Sequence, residues 1–229
     1  MIPTWCPSPN FSERKGVLNP SLIIIHYTAM HDTESAQRAL CNPDIEVSSH
    51  YLISGDGAVI QLVEEKHRAW HAGISSWGNI LDVNSHSIGI ELANDGLSPF
   101  SAKLMESLEH LLEVISKRWS IPASRVLAHS DVSPGRKIDP GLRFDWRRLA
   151  LKGLAVRTEQ KKDVVLGKDE LIKNLEAFGY NTEVDFGILL AAFRLRFNPN
   201  ETGELSRKDC SLATYLALEH PVDLSKVST

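Results

Sequence analysis

Two histidines and the carboxylates near one of them are the residues of this chain best suited to hold a metal ion. His26 and His129 each close an apolar run, Leu22-Ile23-Ile24-Ile25 before the first and Val126-Leu127-Ala128 before the second. A catalytic zinc site typically takes three ligands from histidine and carboxylate and leaves a fourth position to water. Taken singly, either histidine reads equally well as an ordinary residue at the edge of a core. After His129 come Asp131 and Asp139, with Pro134-Gly135 turning the chain between them and Lys137 two residues before Asp139. If 137–139 is extended, Lys137 and Asp139 point the same way and bring a cation and a carboxylate to one place. An exposed ion pair on a turn has the same pattern and needs no metal. Spacing alone does not choose between Asp131 and Asp139.

These residues need a scaffold that brings strand ends together. The branched run ending at His26 reads as a strand buried on both faces. Residues 49–54 and 58–63 flank Gly55-Asp56-Gly57 as a hairpin. Ser87-Ile88-Gly89-Ile90-Glu91-Leu92 alternates, so Ile88, Ile90 and Leu92 share one face while Glu91 stands beside the small Gly89 on the other. Leu104, Leu108, Leu111, Leu112, Ile115 and Trp119 recur at helical spacing behind Ser101, a candidate N-cap. Residues 125–129 predict another strand and 144–152 a short helix. The alternation predicts an α/β fold, a mixed β-sheet flanked by helices.

The polar segment 156–165 reads as a linker, which divides the chain into a principal domain at 1–155 and a smaller one at 166–229. Three helical stripes follow the linker: Leu171, Leu175 and Phe178 with Gly179 as C-cap, then Phe186 through Phe197, then Leu212, Tyr215 and Leu216. They predict a small C-terminal three-helix domain. A unit appended in this way should be dispensable for cleavage of small soluble substrates.

With a net charge of −4, the chain lacks the positive field expected of a nucleic-acid partner. Its apolar runs, Leu22–Ile25 among them, are far shorter than the roughly 20 residues that span a bilayer. The first residues do not read as a secretory signal. A chain complete as given would therefore be cytoplasmic, and one whose signal had been trimmed would be periplasmic or membrane-anchored. Cys6, Cys41 and Cys210 are too scattered for a disulfide framework or a thiolate zinc site.

Five motifs in unbroken order bring a family into view: His26-Tyr27-Thr28-Ala29, Ser48-Ser49-His50-Tyr51, Ala69-Trp70-His71-Ala72-Gly73, Ser87 through Leu92, and His129 through Lys137-Ile138-Asp139-Pro140-Gly141. Together they resemble the zinc-dependent type 2 N-acetylmuramoyl-L-alanine amidases over about residues 17–153. The likeness is closest to the branch in which a helical peptidoglycan-binding-like domain follows the amidase domain. The resemblance implies an amidase/peptidoglycan-recognition-like fold, one zinc ion, and a peptidoglycan or muropeptide substrate, anhydro-muropeptides included. It also implies that His26, His129 and Asp139 are the metal ligands and that Glu91 and Lys137 act on the substrate.

Tyr27, Trp70, His71 and Asn94 are the expected substrate contacts, and His50, inside a predicted strand, reads as a supporting residue rather than a fourth ligand. The competing reading is a recognition module that binds without cutting. A helix-borne His-Glu-x-x-His metallopeptidase is disfavoured because that pattern is absent. Oligomeric state is left open.

Overall fold

The computed structural model describes residues 2–30 and 32–222, so Met1 and the last seven residues of the expected 166–229 unit lie outside it. Its strands are β1 (Thr4–Trp5), β2 (Phe11–Ser12), β3 (Leu22–Tyr27), β4 (Tyr51–Ile53), β5 (Val59–Gln61), β6 (Arg68–Ala69), β7 (Ser87–Leu92) and β8 (Val126–Ala128). Six of them form a mixed sheet in the order β1-β5-β4-β7-β3-β8, and β2 pairs with β6 in a separate antiparallel ribbon. The helices are α1 (Thr33–Leu40), α2 (Val83–His86), α3 (Ala102–Trp119), α4 (His129–Val132), α5 (Trp146–Leu151), α6 (Lys168–Phe178), α7 (Phe186–Phe197) and α8 (Arg207–Glu219).

Alternation along the central strands decides what covers each face. Ile23 and Ile25 of β3 join Ile88, Ile90 and Leu92 of β7 in a core closed by the apolar stripe of α3. Helix α3 begins where expected, with the Ser101 hydroxyl accepting the Leu104 N–H. Leu22 and Ile24 face the other way, with Leu127 of β8, and are covered by α6, α7 and α8 through Leu171, Leu175, Phe178, Leu189, Phe193 and Leu216. The three C-terminal helices are thus a layer on the sheet. Val156, at the start of the expected linker, is buried in the same cluster. Helix α1 packs on a third, smaller cluster with Leu52, Leu62 and Ala69.

Strands β4, β7, β3 and β8 run parallel, and their register aligns the site. His26 stands opposite Glu91, while Ile25 stands opposite Ala128, the residue before His129. His26, Glu91 and His129 therefore arrive on one row at the carboxyl ends of adjacent strands, where open α/β sheets place their ligands. No helix among the described residues is long and apolar enough to cross a membrane.

Candidate metal centre and cleft

Three atoms able to hold a metal ion meet beside the strand ends. His26 Nδ1 lies 2.9 Å from His129 Nδ1, and Asp139 Oδ2 lies 3.0 Å from each of them. All three residues are buried, with exposures of 1%, 2% and 8%. Among the described residues this is the group of His, Cys and carboxylate side chains able to hold a metal ion.

The hydrogen bonds behind the histidines test whether a cation fits. His129 Nε2 is 3.0 Å from the Ala72 carbonyl, which only accepts, so Nε2 carries the proton and Nδ1 presents a lone pair. His26 Nε2 is 3.0 Å from His71 Nδ1, and His71 Nε2 is 3.1 Å from Ser87 Oγ, whose own hydroxyl donates to the Val83 carbonyl at 2.6 Å. One assignment satisfies this whole chain: His26 Nε2–H donates to His71, and His71 Nε2–H donates to Ser87. It too leaves a lone pair on His26 Nδ1. Two lone pairs and a carboxylate oxygen then face one point, an arrangement that a cation resolves. A tetrahedral zinc ion spaces its ligands about 3.3 Å apart, so the triangle has only to open by a few tenths of an ångström.

Without a cation the three atoms need a proton among them. Burial pushes the Asp139 carboxyl up, but the adjoining His129 and His26 outweigh it and hold the group well below the usual carboxylate range. Burial, reinforced by the neighbouring His129, lowers His26 to about 4.

Glu91 lies beside this centre on β7. Its Oε2 is closed off from solvent and has no hydrogen-bond partner. Burial, with Asp139 nearby, raises its carboxyl to about 8, against the pull of Lys137. Gly89 creates the room that the alternating pattern implied, because a Cβ there would meet the His71 ring at 2.5 Å. The small residue therefore seats the histidine that orients His26.

Glu91 and Lys137 line one cleft of about 530 Å³ with His26, His129, Asp139, Tyr27, Trp70 and His71. Other parts of its wall come from Ala36, Ala39 and Leu40 of α1, together with Arg136 and Ile138. Asn94 does not join them. Its side chain accepts the Gly96 N–H at 2.7 Å and donates to the Ser98 carbonyl at 3.3 Å, shaping the turn after β7. That turn matters to the cleft because a Cβ on Gly96 would approach Tyr27 Cζ to 2.8 Å.

His71 has a role beside the one its motif suggested: it supports His26. His50 is also a supporting residue, accepting the Gly89 N–H at Nδ1 and facing the His67 carbonyl with Nε2, each at 3.0 Å. Arg136 escaped sequence reasoning. It donates to the Ala72 carbonyl at 2.5 Å and so shares the acceptor that orients His129.

The hydrogen-bond chain through His71 gives a direct expectation. His71→Leu should weaken zinc binding roughly 10–100-fold, whereas His71→Asn, whose amide oxygen can accept from His26 Nε2–H, should recover most of it. Chelator competition reads both, and equal losses in the two variants would remove His71 from this role.

Residues 16–142 match the sequence model of a family described as N-acetylmuramoyl-L-alanine amidase. The chain is 31% identical to the N-acetylmuramoyl-L-alanine amidase AmiD of Escherichia coli strain K12, over 88% of this chain and 84% of that protein. It is 35% identical to the 1,6-anhydro-N-acetylmuramyl-L-alanine amidase AmpD of Haemophilus influenzae, over 62% of this chain and 86% of that protein. Among solved structures, the complex of E. coli AmiD with the substrate anhydro-N-acetylmuramic acid-L-Ala-D-gamma-Glu-L-Lys aligns with a TM-score of 0.80 at 29% identity, covering 92% of this chain and 98% of that one. AmpDh3 from Pseudomonas aeruginosa aligns with a TM-score of 0.81 at 26% identity, covering 95% and 96%.

Proposed function

The chain belongs to the N-acetylmuramoyl-L-alanine amidase family, which hydrolyses the amide joining N-acetylmuramic acid to L-alanine, and we propose that it does so with one zinc ion held by His26, His129 and Asp139. The observation that carries this reading is the meeting of three ligand atoms beside a buried carboxylate oxygen with no partner, at the floor of an open cleft. A zinc ion bound there would polarise the scissile carbonyl and lower the pKa of a water.

The chain's own residues supply the proton traffic. Glu91, as the carboxylate, takes a proton from the attacking water and delivers it to the departing L-alanine nitrogen. Its orphaned Oε2 is available because no protein donor occupies it. Lys137 faces the charge that develops on the carbonyl oxygen, an interaction typically worth a few kcal/mol of barrier. Trp70 and Tyr27 form apolar wall for the sugar–peptide junction, in a cleft of small-ligand size.

Anhydro-muropeptides are the substrates proposed first, since AmpD is named for a 1,6-anhydro sugar and the AmiD complex holds an anhydro-N-acetylmuramic acid peptide. Zinc-loaded protein incubated with an anhydro-muropeptide should release free stem peptide with a new L-alanine amino terminus, detectable by mass spectrometry. A protein that binds zinc and muropeptide but releases no peptide would be a recognition module. Running intact sacculi alongside would rank the two substrate forms.

A further inference from the structure

Asp131, the other carboxylate close after His129, is fully buried and is held by three donors. The Ala128 N–H reaches its Oδ2 at 2.9 Å, the Tyr180 hydroxyl reaches Oδ1 at 2.5 Å, and Arg196 Nη1 reaches Oδ2 at 2.5 Å. The first donor belongs to the strand that delivers His129. The other two come from the C-terminal helical layer, Tyr180 just after α6 and Arg196 on α7. Arg196 is itself clamped, its guanidinium 4.0 Å from the Trp146 ring centroid and 4.7 Å from that of Phe197.

This grip bears directly on a metal ligand. Helix α4 is one short turn, His129–Val132, too brief to fix its own orientation. Two positions along a helix turn the side chain by about 200°, so Asp131 faces the C-terminal layer while His129 faces the cleft. The next ligand is tied to the same turn, because the Ser130 N–H donates to the Asp139 carbonyl at 3.0 Å. The intervening loop also rests on α7, where a Cβ on Gly135 would come within 2.7 Å of Ile188 Cγ2. The H. influenzae AmpD match covers 62% of this chain and 86% of that protein, so little of AmpD is left to match these helices, whereas the AmiD match covers 88% of the chain.

We propose that Tyr180 and Arg196, through Asp131, are positioning residues for His129, which makes the C-terminal helices part of the metal centre's support. This rests on the reading of His129 as a zinc ligand. It replaces the expectation that a linked helical unit is dispensable for cleaving small substrates.

The test uses the full chain and zinc alone as the probe. Tyr180→Phe removes a single hydrogen bond and should weaken zinc binding several-fold in chelator competition, with an altered visible spectrum after cobalt(II) substitution. The double variant Asp131→Leu/Arg196→Leu replaces the buried ion pair by apolar groups, an exchange that is often neutral for stability. Its zinc affinity should nevertheless fall by on the order of 10–100-fold. Leu216→Ala, which loosens the same helices without touching Asp131, should lower the thermal midpoint and leave zinc affinity and the cobalt spectrum unchanged.

Wild-type affinity and an unchanged cobalt spectrum in Tyr180→Phe would overturn the proposal, whether or not the double variant folds. An equal loss of affinity in Leu216→Ala would overturn it too, by reducing the effect to general stability. If wild-type protein and His129→Ala bind zinc alike, the ligand assignment itself is at fault, an outcome distinct from both.

Discussion

Glu91→Gln should leave a folded, zinc-binding protein whose kcat falls by roughly 10²–10⁴-fold, the range for loss of a positioned acid–base group. The amide keeps the shape of the side chain but cannot take the proton of the attacking water. His129→Ala should differ in kind, losing zinc and activity together. The two variants are separated by measuring bound zinc and turnover on the same samples. Glu91→Gln protein that keeps wild-type turnover would exclude Glu91 as the base, and loss of its zinc would make Glu91 part of the metal site instead.

The same substitution carries a stability signature of opposite sign. In the metal-free protein burial raises the Glu91 carboxyl from about 4.5 to about 8. The folded state therefore binds the extra proton, and stability falls as pH rises from 4.5 through 8. Glu91→Gln removes that penalty, so the metal-free variant should outlast the wild type in urea above pH 8 and match it near pH 4.5. Positive charge at the three ligands acts against the burial and favours the carboxylate, which is the form the reaction uses.

How far the site could be read from sequence followed the range of the interactions that build it. His26 and Glu91 were legible because each belongs to a strand whose pattern fixes its direction, and His129 because it follows directly on one, although it opens helix α4 rather than closing the expected strand; the parallel register does the rest. Gly89 was legible as missing bulk, although the partner that fills the space, His71, was not. The choice of Asp139 over Asp131 needed the family motif, since spacing carries no record of the helical turn that points Asp131 away from His129.

Contacts across long stretches of sequence left no local trace. Tyr180 and Arg196 lie 49 and 65 residues from the carboxylate they hold. Segment 156–165 has the polarity of a linker, yet its first residue, Val156, is buried with the helical layer. Polarity reports exposure on average, while a layer needs only a few apolar anchors to dock. Asn94 illustrates the converse, a polar residue near the site that is consumed by its own turn.

The zinc-free protein should lose stability steeply as pH falls from about 6.5 to 4.5, because the site is built on buried neutral histidines. Burial lowers His26 to about 4 and His50 to about 3, and holds His71 well below its ordinary value. Each has a folded pKa below its unfolded one of about 6.5, so acid protonates the unfolded chain first and the contribution present above 6.5 is lost on the way down. Glu91 opposes them over the same window, since its raised pKa lets the folded state keep a proton.

These three histidines outweigh Glu91, so unfolding takes up protons on balance and stability falls as pH drops through this window. Urea titrations followed by tryptophan fluorescence at pH 6.5, 5.5 and 4.5 would give the slope. His50→Asn, which retains an acceptor for the Gly89 N–H, should shallow it by about one proton, and Glu91→Gln should steepen it by about one. A flat profile in the wild type would mean that these histidines are already charged in the folded protein. The hydrogen-bond chain from His26 through His71 to Ser87 would then lack its acceptor at His71 Nδ1, and the lone pair offered to the metal would be lost with it.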